Sequence, residues 1–212
     1  MKAIIKFLEE RFMPFAGRLA EQRHLKALRE GIVAVMPLLL IGSLFMIIAY
    51  PPVQSLDKAV EPFRNDLLKV TNVTFGIMAL AASFTIAYSL ARAYKVDQLA
   101  CGVLSVSAFL LSIPAAEGGG LATAWFGSKG LFVAMLLALF AVEIQRFFME
   151  RDMFIKMPPE VPPFVARSFA ALVPGFVILF TVWAVNTALI KSVNLALPEA
   201  INNVIGIPVM NL

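Results

Sequence analysis

Uncharged apolar runs, several close to the roughly 20 residues a helix needs to cross a bilayer, alternate along the chain with short polar stretches. They predict five membrane-spanning helices at about 31–50, 73–91, 99–114, 130–144 and 169–190. The first run, Gly31 to Tyr50, carries no charge, and Pro37 is tolerable within it because neighbouring helices can satisfy the carbonyl it frees. Tyr50-Pro51-Pro52 marks its exit, and a polar segment with Asp57, Lys58, Glu61, Arg64, Asp66 and Lys69 leads to the second run. Arg92 and Lys95 stop that run, and a tight turn over Tyr94 to Gln98 opens a shorter third one, Leu99 to Pro114. Ahead of all five, Ile4, Phe7, Leu8, Phe12, Phe15 and Leu19 recur at spacings of three and four, which predicts an amphipathic helix on the membrane surface, kinked at Pro14. Residues 1–30 therefore read as a surface arm, and the fold class as an all-α polytopic membrane bundle.

Within the second run, Ala79, Ser83, Ala87 and Ala91 place a small residue at every fourth position, a face on which helix backbones can approach closely in lipid. Ser105, Ser107 and Ser112 of the third run read as hydroxyls bonded back to their own helix. The stretch from Ala115 to Lys129, with Gly118-Gly119-Gly120 and Trp125-Phe126, predicts a loop returning to an aromatic-anchored interface. It is not a phosphate-binding loop, because Gly127-Ser128-Lys129-Gly130 inverts the required Gly-Lys-Ser/Thr order. Between the fourth and fifth runs, the connector 145–168 carries Pro158-Pro159 and Pro162-Pro163, which predict an extended, stiff, non-helical arm. The tail 191–212 is mildly amphipathic and predicts a linker on the far side of the membrane.

Composition sharpens this picture. Sixty per cent of the 212 residues are hydrophobic and 15% charged, with a mean hydropathy of +0.83, too apolar for a water-soluble domain. The single cysteine, Cys101, excludes an internal disulfide, and with one histidine there is no Cys/His set for a metal; no cofactor is expected. Cys101 reads as a packing residue and His24 as solvated or interfacial. The net charge of +4 belongs to loops between apolar runs rather than to a basic stripe with interleaved aromatics, so nucleic acid is not an expected partner; the lipid bilayer is. Of the 18 Lys and Arg, 13 fall on the side of the amino-terminal arm and 5 on the other. This bias predicts a cytoplasmic amino terminus, Arg92/Lys95 turn and connector, with the carboxyl end outside. The acidic residues Glu9, Glu10, Glu21 and Glu30 argue against a cleaved signal peptide.

Two stretches carry a family resemblance: FMPFAGRLAEQRHLKALREGIVAVMPLLLIGS at 12–43, and MPPEVPPFVARSFAALVPG at 157–175, where paired prolines lead into Arg-Ser-Phe and a membrane helix. Both resemble the enzyme IIC permease of the bacterial phosphotransferase system, in its lactose/cellobiose (diacetylchitobiose) branch. The resemblance covers essentially the whole chain and marks Pro158, Pro159, Pro162, Pro163, Arg167, Ser168 and Phe169 as family-motif connector residues. It implies a homodimer in the bacterial cytoplasmic membrane, in which an amino-terminal helix group makes subunit contacts and a carboxyl-terminal half binds sugar. The chain resembles only the former, so no catalytic or sugar-binding residue is carried over. In the full system a disaccharide such as cellobiose or diacetylchitobiose would be phosphorylated by a phosphocysteine-bearing IIB partner, itself served by IIA. The chain alone is expected to be a scaffold and not an enzyme, whether truncated or naturally split.

Two other classes compete. A self-sufficient small transporter or channel would need polar groups converging inside the bilayer, and the apolar runs offer only serines, threonines and Asn186, with charges such as Glu143 at their ends. A membrane-embedded enzyme would need a nucleophile and base or a metal set, and Glu150 and Asp152 read better as a solvated face.

Overall fold

The computed structural model describes residues 21–116 and 118–206. The surface helix expected over residues 4–19 and the end of the tail lie outside them. The described elements are α1 (Arg23–Ala49), α2 (Gln54–Val60), α3 (Arg64–Asn72), α4 (Met78–Tyr94), α5 (Gln98–Ser112), α6 (Leu131–Glu150), α7 (Pro163–Ala170), α8 (Leu172–Val193) and α9 (Leu197–Ile201). Short 3-10 turns join several of them, and Asn202–Gly206 closes the series as a π-helical turn. Among the described residues there is no strand, only one isolated antiparallel bridge between Ala115 and Leu121. The architecture is an all-α membrane bundle. Four helical stretches are long and apolar enough to cross a bilayer: Arg23–Ala49, Leu56–Tyr94, Ser128–Glu150 and Pro163–Val193. The remaining expected span is the shorter α5, whose 15 residues extend about 22 Å, less than the hydrocarbon thickness of about 30 Å.

Three sequence expectations need correction. The polar segment after the first span is not a loop: α2 and α3 run through it, because an interfacial helix needs only one packed face and its other positions can stay charged. Arg64 on α3 donates from Nε to the Ala49 carbonyl at 3.0 Å and pairs with Asp57, so it satisfies the frayed carboxyl end of α1. The connector 145–168 is not free of helix either. Helix α6 continues to Glu150, and Pro163 starts α7 at the first helical position, where the missing proline N–H costs nothing. The first span begins earlier than expected, at Arg23, so the basic run before Gly31 is already helical.

Helix α4 is the central element, packed against α1, α5 and α6. Its contact with α1 is close enough to require glycine: a Cβ on Gly31 would lie 2.4 Å from Ile86 Cγ1 and 2.6 Å from Ile86 Cα. Thr85 Oγ1 donates to the Gly31 carbonyl at 2.8 Å across the same contact. Two apolar clusters fill the bundle. One gathers Phe109, Trp125, Val133, Leu137, Ile178 and Val182; the other gathers Val35, Ile86, Leu90, Cys101, Ala138 and Val142. The loop before α6 packs into the first cluster, with Trp125 only 4% exposed, so it is an internal plug more than an interfacial anchor. Its glycines turn the chain, with φ of 94°, 93° and 83° at Gly118, Gly119 and Gly120, where a side chain would be strained.

Candidate functional site

Polar side chains inside the bundle are the first place to look for a site, since each must be paired or be reserved for a ligand. The small-residue face of α4 is buried within this chain: Ala79, Ser83, Ala87 and Ala91 are all fully covered. Ser83 Oγ lies 2.8 Å from Ser105 Oγ, and Ser105 Oγ is 3.0 Å from the Ser83 carbonyl. Ser105 therefore bonds across to α4 instead of back to its own helix. Ser107 and Ser112 do bond back, to the carbonyls of Val103 and Phe109. Asn186 of α8 donates to the Leu111 carbonyl at 3.3 Å and accepts from the Leu197 N–H at 2.8 Å, joining α8 to the end of α5 and the start of α9. These groups are spent on holding helices together.

The second concentration of polar groups lies where helix ends meet. His24, at the start of α1, donates from Nε2 to Glu143 Oε1 of α6 at 2.8 Å, and Arg146 Nη2 holds the other Glu143 oxygen at 2.9 Å. Tyr94, at the end of α4, has its hydroxyl 3.5 Å from His24 Nε2, with the guanidinium of Arg146 over its ring at 4.4 Å and that of Arg23 at 5.5 Å. About two turns into α1, Glu30 accepts from Ser89 Oγ at 2.5 Å and from Arg92 Nη2 at 2.9 Å. His24 thus ties α1 to α6 at a half-buried helix end. Pairings across 119 and 62 positions of sequence carry no local signal and were out of reach of pattern reading. Among the described residues, no three His, Cys, Asp or Glu side chains are grouped to hold a metal ion. Cys101 is a free cysteine, fully buried in the bundle.

The connector motif divides in two. Pro158 and Pro159 form a turn closed by the Val161 N–H on the Pro158 carbonyl at 3.1 Å. Pro162 caps α7, and Arg167, Ser168 and Phe169 ride on that helix with exposed side chains. The motif residues and the α4 face lie on different elements and build no common pocket. Arg167 and Ser168 instead face the start of α5 across a cavity of about 550 Å³ that also includes Asp97, Leu99, Val103 and Leu172 in its walls.

Residues 29–208 match the family model described as phosphotransferase system, EIIC. The chain is 47% identical over 201 residues to a cellobiose-specific EIIC component of Geobacillus stearothermophilus, covering 86% of this chain and 45% of that protein. It is 43% identical over 202 residues to the lichenan permease IIC component of Bacillus subtilis (strain 168), covering 87% of this chain and 45% of the relative. Its fold superposes with a TM-score of 0.88 and 41% identity on the crystal structure of the transporter ChbC, the IIC component of an N,N'-diacetylchitobiose-specific phosphotransferase system. That likeness covers 96% of this chain and 51% of the solved one. The chain spans about half the length of the relatives it matches.

Proposed function

The chain belongs to the phosphotransferase system EIIC family, and from that premise we propose that its helices are the amino-terminal scaffold of a permease taking up a disaccharide such as cellobiose or diacetylchitobiose. In this reading the sugar-carrying helices lie in a second half, the permease is a homodimer, and a cytoplasmic IIB partner phosphorylates the sugar released inward. The observation that carries the scaffold role is the use of Ser83, Thr85, Ser105 and Asn186 for helix joining. Ser83 with Ser105, Thr85 with Gly31 and Asn186 with Leu111 and Leu197 are committed to neighbouring helices, where a sugar site would present hydroxyl-binding groups to a cavity. In this reading the amino terminus lies on the cytoplasmic side. Supporting this, the ends of α1, α4 and α6 that bear Arg23, Arg92 and Arg146 meet on one face, and basic side chains favour the inner leaflet.

The test is uptake of radiolabelled cellobiose and diacetylchitobiose into proteoliposomes containing either residues 1–212 or the complete permease from the same locus. Uptake is expected only with the complete permease. Saturable uptake by residues 1–212 alone would replace the scaffold reading with a self-sufficient small transporter.

A further inference from the structure

The cavity between α5 and α7 has a division of polarity that the scaffold role does not use. Its floor and outer wall are apolar and open sideways: Leu99 is 65% exposed, Val103 59% and Phe164 71%. Exposed apolar side chains at the ends of spanning helices are suited to contact with lipid acyl chains. Its only charged side chains, among the described residues, are Asp97 and Arg167, which stand on different elements and are not ion-paired to one another or to any other described group. Asp97 spends Oδ1 on capping α5, accepting from the Ala100 N–H at 2.8 Å, and its other oxygen is free to accept. Arg167 projects from α7 with its donors unclaimed within the described chain.

We propose that this groove binds a zwitterionic aminophospholipid at the membrane surface, its phosphate on Arg167 and its primary ammonium on Asp97. An anion and a cation held apart on facing walls match a headgroup carrying a phosphate and an ammonium, and guanidinium is well suited to phosphate. The exposed Leu99, Val103 and Leu172 lie beside these charges, where the upper part of an acyl chain would run. A phosphate alone would satisfy Arg167 but set a second negative charge near Asp97. A quaternary choline has no N–H to donate to the free carboxylate oxygen. The charge arrangement therefore selects phosphatidylethanolamine over phosphatidylglycerol and phosphatidylcholine. The assignment requires the groove to stay open to lipid beside the second half and the partner copy of the proposed permease, and the crosslinking readout tests this separately from sugar uptake.

The experiment is native mass spectrometry of the complete purified protein in detergent, with one of the three lipids added at equal concentration, reading the fraction of protein that retains lipid. Phosphatidylethanolamine is expected to be retained about fivefold better than phosphatidylcholine, the factor that one partly exposed ion pair supplies. Asp97→Asn keeps an oxygen for the α5 cap and is expected to abolish that preference while leaving phosphatidylglycerol retention no lower. Arg167→Gln is expected to weaken retention of both phosphatidylethanolamine and phosphatidylglycerol. Equal retention of the three lipids, or a preference that both variants leave intact, overturns the assignment. A photo-crosslinking side chain at Leu99 provides a readout independent of affinity. Labelling of lipid supports the proposal, and labelling of polypeptide, from a second copy or another segment, overturns it.

Discussion

Replacing Ser83 by leucine tests whether the small-residue face of α4 works inside the chain. Ser83 is completely buried, and its hydroxyl meets Ser105 Oγ at 2.8 Å. Leucine cannot fit without pushing α5 away, because the same contact is already tight: a Cβ on Gly102 of α5 would come within 2.5 Å of the Phe84 ring. Overpacking of this kind costs about 1–3 kcal/mol, and the lost interhelical hydrogen bond adds about 0.6 kcal/mol, for a total of about 2–4 kcal/mol. Ser83→Ala removes only the hydroxyl, and Ser105 can still donate to the Ser83 carbonyl at 3.0 Å, so its cost stays near 0.6 kcal/mol. The assay is a denaturant titration of the purified protein in mild detergent, with oligomeric state read in parallel by size-exclusion chromatography. The leucine variant is expected to unfold at lower denaturant, with the alanine variant close to wild type. A leucine variant of unchanged stability but altered oligomeric state would refute the reasoning and assign the face to a contact between subunits.

Gly31→Ala brings a methyl against the Ile86 backbone, which cannot swing aside as a side chain can; a loss of about 1–3 kcal/mol in the same titration is expected, and wild-type stability would contradict the close α1–α4 approach. Asn186→Leu strips the Leu197 N–H of its acceptor, at a cost of about 1–3 kcal/mol, and hydrogen exchange at Leu197 should accelerate. Failure to do so would mean another group caps α9. Glu143→Gln weakens both the His24 and Arg146 contacts, but all three side chains are about one-third exposed, so the loss should stay within about 1 kcal/mol and shrink with added salt. A larger, salt-independent loss would mean that the network is buried by something beyond this chain.

Membrane embedding was legible in the residues because the hydrocarbon slab imposes one requirement, an uncharged apolar run of sufficient length, and that requirement is local. Gly31 to Tyr50 and Phe169 to Ile190 satisfy it without reference to any neighbour, and the family kinship rested on equally local strings such as the double Pro-Pro before Arg167-Ser168-Phe169. Local polarity misled where it was read as absence of structure. The charged stretch around Asp57, Arg64 and Asp66 is helical, and Pro163 begins a helix, since proline obstructs a helix interior but not its first turn.

Tertiary structure decided what side chains are used for. The periodicity of Ala79, Ser83, Ala87 and Ala91 declared a face for close packing, yet only the fold determined that the covering helices belong to the same chain. His24 and Glu143, or Asp97 and Arg167, are ordinary charges at the ends of apolar runs until the bundle brings those ends side by side. Hydrophobicity is a property a residue carries by itself, so the sequence alone determined the solvent of this protein. Pairing depends on two positions at once, and the distances between them exist only after the helices have packed.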